Sequence, residues 1–305
     1  MRSLLIALYW VLLAGCAESE RAPRRPNFVR FDADGTLLVT DNANAEVVRL
    51  SSDGTVLARY GERGLGKGQL WHLRGLAPDG GGGFAVISHR LLSLNTPNDF
   101  YREVKRFNHD GEELEAFPVV APGVDEAGWP EGIERLKDGW VLVERQSDAL
   151  MFYDEKGKLV RTLHAPGGGE PLSDPTSPRL VGDALWVTEH ELHRVRAIGL
   201  DGHQRTSFGV EGSGPGELRF PWAVAVAPDG ALVVADLGNF RVQRFRPDGT
   251  VIDSWEPTPV APNSPPQLLD VDVAPDGRVA VVDSHGGRVM LFDADGELLT
   301  EVLSW

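Results

Sequence analysis

The dipeptide Asp-Gly recurs ten times, beginning at residues 34, 53, 79, 110, 138, 201, 229, 248, 276 and 295. Between alternating apolar runs this pair is a strong hairpin signal, because the tight turn needs positive φ at its central positions. A chain with so many turns has to be built from many short antiparallel strands. The spacing sorts the turns into pairs, with 19 residues separating 34 from 53, 229 from 248, and 276 from 295. Two short strands fit each interval: "TLLVTD…EVVRL", "ALVVAD…RVQRF" and "RVAVVD…RVMLF" are three copies of one pattern.

If each unit has four strands, a to d, the paired turns are a–b and c–d. Lys156-Gly157 and Gly182-Asp183 fill the two positions that lack Asp-Gly, giving twelve turns and six units. The a–b glycines run from Gly35 to Gly277, a mean period of (277 − 35)/5, or about 48 residues. That is the range of propeller blades, and a β-sandwich would not produce so regular a period. The expected fold is all-β, a six-bladed β-propeller of four-stranded antiparallel blades over residues 27–305.

The segment "PWAVAVAPDGALVVADLGNFRVQRFRPDG", Pro221 to Gly249, resembles the NHL-repeat β-propellers: a strand, an Asp-terminated second strand, an Arg-Val-containing third strand, then a Gly-rich linker. The resemblance is close in units 1, 5 and 6 and looser in units 2, 3 and 4, where His89, Arg145 and Glu189 replace the Asp after strand b. Two glycine-rich linkers, "YGERGLGKGQLWHL" after unit 1 and "FGVEGSGPGELRFPWAV" after unit 4, are read as hinges between blades.

The amino terminus carries targeting information. In "MRSLLIALYWVLLAGC", Arg2 precedes an apolar run from Leu4 to Leu13 that is short for a membrane span, so residues 1–15 read as a signal peptide. Leu13-Ala14-Gly15-Cys16 resembles the lipobox of bacterial lipoproteins, which implies cleavage before Cys16 and lipidation of that thiol. The expected location is the bacterial cell envelope, lipid-anchored, with Ala17 resembling the sorting pattern for the outer membrane facing the periplasm. Residues 16–26 form a polar, proline-bearing tether. Cys16 is the sole cysteine, so no disulfide supports the fold.

Charge narrows the partners. The net charge of -15 comes from 45 acidic and 30 basic residues, with no Lys/Arg stripe to track phosphates. Nucleic acid is thereby excluded, and basic or peptide-like partners are favoured.

In an up-and-down blade the a–b and c–d turns share one face, while b–c loops and d-to-a connections share the other. The second face carries the irregular segments 88–103, 117–130 and 256–266, and long loops on a rigid scaffold are where binding resides. At or beside the end of strand b lie Asp41, His89, Arg145, Glu189, His190, Asp236, Asp283 and His285. At the start of strand a lie His72, Arg74, Glu131, Glu134, Arg179, Trp222, Asp270 and Asp272. Asp41, Asp236 and Asp283 read as structural carboxylates that accept backbone N–H bonds. His89, His190 and His285 fall in alternate units but at successively later positions, so they are not expected to converge on a metal. Trp71 and Trp129 are expected to pack between blades, whereas Trp222 is freed for binding because Phe220 and Pro221 fill that role.

Signals for chemistry are sparse. GxSxG is absent, and no helix follows the glycine runs to bind an anion. The peptidyl-hydroxyglycine amidating lyase has this architecture and uses histidines at the start of strand a in alternate units, where this chain has His72, Thr176 and Leu269. "WPEGIERL", Trp129 to Leu136, resembles the strand that supplies a Glu ligand in calcium-dependent lactonases of the gluconolactonase type. That resemblance implies Ca²⁺ at Glu131, with Asp236 and Asp270 as further oxygens, though the asparagines of that family have no match.

The reading is a non-catalytic module, without cofactor, that binds or scaffolds a protein or peptide. Its binding residues are His72, Arg74, His89, Arg90, Tyr101, Trp129, Glu131, Arg145, Glu189, His190, Trp222, Asp270 and His285. The alternative is a calcium-dependent lactonase, esterase or lyase at the channel mouth. For the anchor, Cys16→Ser is expected to move the chain from the detergent phase to the aqueous phase in a detergent partition; retention in the detergent phase refutes lipidation at Cys16.

Overall fold

The computed structural model describes residues 25–91, 100–120 and 128–302. The signal peptide, Cys16, most of the tether, the centres of the segments 88–103 and 117–130, and Trp305 lie outside the described residues.

Among the described residues, twenty-four strands form six four-stranded antiparallel sheets, each from four consecutive strands. The a strands are Pro26–Phe31, His72–Pro78, Pro130–Leu136, Pro175–Val181, Pro221–Val226 and Leu268–Val273. Strands a to c are largely buried and rich in Val, Leu and Ala. Strand d is the half-exposed outer edge, as in Val56–Tyr60 and Gln204–Phe208. A strand with apolar residues on both faces has to be covered on both, and a radial array of blades supplies that cover without long open edges.

All twelve turn glycines have positive φ, as expected. The a–b turns of blades 3 and 4 are two-residue hairpins, with Leu136 paired to Gly139 and Val181 to Ala184, but in nine of the other turns the type differs. Gly35 donates to the Asp32 carbonyl, Asp32 donates to that of Thr36, and eight further turns repeat the first bond at equivalent positions. Only the glycine is left-handed, and the preceding Asp keeps negative φ. This is a type I turn closed by a left-handed residue, in which the Asp carboxylate accepts the N–H two residues on, as Asp229 does from Ala231.

The glycine-rich linkers are structured plugs rather than hinges. In the first, Leu70 donates to the Glu62 carbonyl and Gly64 to that of Leu70; in the second, Leu218 donates to Val210 and Gly212 to Leu218. Both leucines are fully buried. At Gly64 and Gly212 the side chains of Gln69 and Glu217 lie over the backbone, in space a Cβ would share.

The core is divided into six apolar clusters, each shared by two adjacent blades. The cluster between blades 6 and 1 joins Val29, Val39 and Val48 to Ala280, Val282 and Val302, so the ring closes by the same packing as every other joint. Among the described residues no strand is exchanged between the ends. Val302→Ala is expected to cost roughly 1–2 kcal/mol in chemical denaturation. Leu298→Ala, at an exposed position on the same strand, is expected to stay within about 0.5 kcal/mol of the wild type. Equal effects would show that packing of this strand on blade 1 does not close the ring.

Candidate binding face

Strand b ends in a fully buried carboxylate in five of the six blades: Asp41, Glu144, Glu189, Asp236 and Asp283. Asp236 accepts from Arg219 N at 2.7 Å, Asn239 Nδ2 at 2.8 Å and Arg241 Nε at 2.8 Å. Asp283 accepts from Gln267 N at 3.0 Å, Gly286 N at 2.9 Å and Arg288 Nε at 3.1 Å. Each of these two carboxylates thus ties the b–c loop and strand c to the chain running into strand a. In blade 3 this residue is Glu144 and not Arg145: Glu144 pairs with Pro130 and Ala149, as Asp236 pairs with Pro221 and Arg241. Glu189, placed among the binding residues from sequence, is fully buried and accepts from Ser173 N at 3.1 Å and Arg194 Nε at 2.5 Å, like the carboxylates of the other blades.

Blade 2 departs from this rule. His89 occupies the carboxylate position, pairing with His72 and Arg102. It is 2% exposed, and its ring stacks on the Trp129 indole at 5.6 Å. Burial, then the charges of Arg102 and Arg74, hold its pKa well below the ordinary 6.5. Trp129 packs across the joint between blades 2 and 3, against His89 and Arg102, while its outer side is exposed; Trp71 is exposed on this face beneath the Arg63 guanidinium. Arg90 stacks over Tyr101 at 4.4 Å, at the base of the segment that lies outside the described residues.

Two neighbouring concavities share Gln267. The first is the axial mouth, about 630 Å³, walled by Asn27, His72, Arg74, Trp222 and Leu269 from the inner strands and by Arg25, Asn42, Arg63 and Ser284 around them. Behind it, Arg74 pairs with Glu131 at 2.8 Å, and Arg145 grips Asp174 with both prongs and lies 4.7 Å over the Trp222 ring. Burial raises the Glu131 pKa while Arg74 and Arg145 oppose it. Burial, then Arg74 and Arg63, lowers that of His72.

The second is a groove of about 520 Å³ lined by His190, Phe220, Leu237, Phe240, Pro265, Pro266 and His285. Phe220 and Phe240 are 38% and 44% exposed and hold φ of 49° and 57°. A bulky residue in the left-handed region is strained, and two of them pointing toward solvent are a costly arrangement for packing alone. Phe220 fills the inter-blade role expected of it only at the surface, against histidines of blade 4, and leaves much of its ring exposed. Its N–H donates to His193 Nδ1 at 2.9 Å, and its ring meets those of His190 and His193. His190 also stands edge-on to Trp222 at 5.0 Å. Of the three histidines in alternate blades, His190 and His285 therefore reach one groove, while His89 is buried elsewhere.

Glu131, Asp236 and Asp270 are not brought together for calcium. Asp270 is buried in the channel wall, where it accepts from Val29 N at 2.9 Å and pairs with Arg30 and Arg179. Asp236 is held by Arg241 in blade 5 and Glu131 by Arg74. Glu134, Arg179 and Asp272, placed at the start of strand a in the sequence, lie toward its other end and line a separate cavity of about 400 Å³ on the turn face. Burial raises Glu134 and Asp272, and lowers Arg179. Among the described residues, the His and acid ligand atoms close enough to share an ion belong to Asp174, His190 and Glu191, but Arg145 already occupies both Asp174 oxygens.

Residues 218–245, strands a to c of blade 5 with the segment just before them, match the NHL repeat. This chain is a six-bladed β-propeller carrying an NHL repeat. The mouse E3 ubiquitin-protein ligase TRIM71 (Mus musculus) is 49% identical over 53 residues, 17% of this chain and 6% of that protein. Protein lin-41 of Caenorhabditis elegans is 52% identical over 46 residues, 15% of this chain and 4% of that one. The propeller thus matches only a small fraction of either relative's length. Among solved structures, a streptogramin B lyase superposes with a TM-score of 0.60 at 15% identity, over 93% of this chain and 84% of that one. A chain of a nidogen/laminin complex superposes with a TM-score of 0.63 at 16% identity, over 85% and 90%. At such identities the superpositions show the fold alone.

The propeller's departure at His89 yields a pH prediction. Its folded pKa is depressed, so the unfolded chain takes up the proton first. Its contribution is present above about pH 6.5 and is lost as pH falls toward the folded value, at most about 1.4 kcal/mol per pH unit. Between pH 7 and 5 the wild type should lose stability that His89→Gln keeps, with His72 and His190 common to both. Parallel stability–pH curves would exclude a neutral, buried His89.

Proposed function

We propose that this propeller is a non-catalytic binding module that captures a polypeptide partner on its irregular face, tethered at the bacterial envelope by lipid on Cys16. The observation that carries the reading is the groove in which Phe220 and Phe240 are held strained and exposed beside Pro265 and Pro266. Rigid aromatic anchors that lose little entropy on binding, ringed by hydrogen-bonding groups such as His190, Gln267 and His285, are the anatomy of a protein-recognition surface. Fold alone does not decide the matter, because similar propellers occur in a lyase and in a protein–protein complex. The site supports recognition over chemistry: the carboxylates required by a calcium enzyme are each committed to an arginine.

Strain and function can be separated at Phe240. Phe240→Gly removes the anchor and relaxes the left-handed residue, so stability should hold or rise by up to about 1 kcal/mol. A photo-crosslinking residue at 240, compared with one at Asp276 on the turn face, should capture a polypeptide in envelope preparations from position 240 alone. Equal capture from both faces, or none from position 240, overturns the reading.

A further inference from the structure

We infer that the axial mouth is a binding site for a small organic anion, a carboxylate or phosphate whose apolar body lies against Trp222 and Leu269. The chain carries a net charge of -15, yet among the described residues three arginines and no Asp or Glu line this cavity. Arg25 and Arg63 have no carboxylate partner among the described residues. Arg63 is pre-organised nonetheless: one of its terminal nitrogens, Nη2, donates to the Asn42 and Ala43 carbonyls at 3.3 and 2.8 Å, and the guanidinium lies 5.2 Å from the Trp71 ring centre. Those carbonyls fix the fork in place and leave Nε and Nη1 for a ligand. Arg74 spends Nη1 on Glu131, and its Nε is buried without a hydrogen-bond partner.

The duplicated plug shows that the charge at residue 63 is not needed for folding. Arg63 bridges Leu70 in the first plug, and Glu211 bridges Leu218 at the same position in the second. One backbone accepts either charge, and the arginine stands in the copy that opens on the mouth. Glu131 balances Arg74, but placing Arg25 and Arg63 beside it without counter-charge is unfavourable unless a ligand supplies it, and guanidinium forks match the geometry of carboxylate and phosphate oxygens. Asn27, Gln267 and Ser284 add neutral polar groups to the rim. A volume of about 630 Å³ accommodates a small molecule of this kind.

The inference stands apart from polypeptide capture and is tested on the full chain in non-ionic detergent by isothermal titration calorimetry. The probes are phenylacetate, phenyl phosphate and their neutral counterpart phenylacetamide. At least one anion should bind, the amide should not, and affinity should fall with salt. Arg63→Gln should weaken the anion roughly tenfold or more, and Arg25→Gln, at an exposed position remote from the core, should also weaken it. Phe240→Gly should leave it unchanged, so failure here is distinct from failure at the groove. Binding of the amide as tight as the anions, anion binding indifferent to both arginine substitutions, or no heat with either anion would overturn the proposal. Whichever anion binds more tightly names the headgroup.

Discussion

The buried carboxylate at the end of strand b is the interaction on which the irregular face depends. Taking an ionised group out of water is costly, and it is stable only when every lone pair is spoken for. Asp236 meets that condition with a backbone N–H from the chain entering strand a, an amide from the b–c loop and a guanidinium from strand c. The three segments that meet at the channel mouth are therefore fixed relative to one another in blades 5 and 6, while Glu144 ties the entry of strand a to the b–c loop and Glu189 ties it to strand c. Side chains mounted on them, such as Phe220 one residue beyond the Arg219 N–H, inherit that rigidity. Blade 2 gives up the carboxylate for a neutral His89 stacked on Trp129, and replaces charge recognition by ring packing at that joint.

The repeat was legible because its determinant is local. A residue that must adopt positive φ on a tight hairpin is glycine almost regardless of its surroundings, so the positions of Gly35 to Gly296 alone gave strand number, blade number and face. The role of the Asp after strand b was legible for the same reason, since loop N–H groups lie within its reach. Assignment by spacing failed in blade 3 because Glu144 and Arg145 differ by one residue, and register shifts near strand ends decide which of them points inward. Nothing local marks Phe220 or Phe240 as exposed. Their conformation is imposed by a frame assembled from distant segments, and an aromatic beside a strand is ordinarily core. Arg25, Arg63 and Arg74 meet only because the ring brings the chain's first described residues next to blade 2.

Charge is distributed against the overall composition. The turn face is studded with Asp-Gly pairs whose carboxylates serve the turns, and much of the channel wall is taken up by an internal network of Arg30, Arg179, Asp270 and Asp272. Acids are thus consumed by folding on one face and in the lumen, while the mouth is left with cations. The overall acidic composition does not describe this one place, since composition averages over groups that are already paired.

That arrangement also sets the range over which the mouth can act. The whole-molecule field of a chain at -15 repels anions at a distance, so the mouth cannot steer a ligand from afar. At physiological ionic strength this field is screened beyond about 8 Å, whereas a guanidinium fork in contact with an oxygen is screened far less. Discrimination is then local: an anion gains only once its oxygens reach Arg63 and its body reaches Trp222. A polyanion too large for the cavity meets the repulsion without the compensating contacts. A propeller of this composition therefore selects by fit at short range, and the selection resides in the few mouth residues that the repeat does not prescribe.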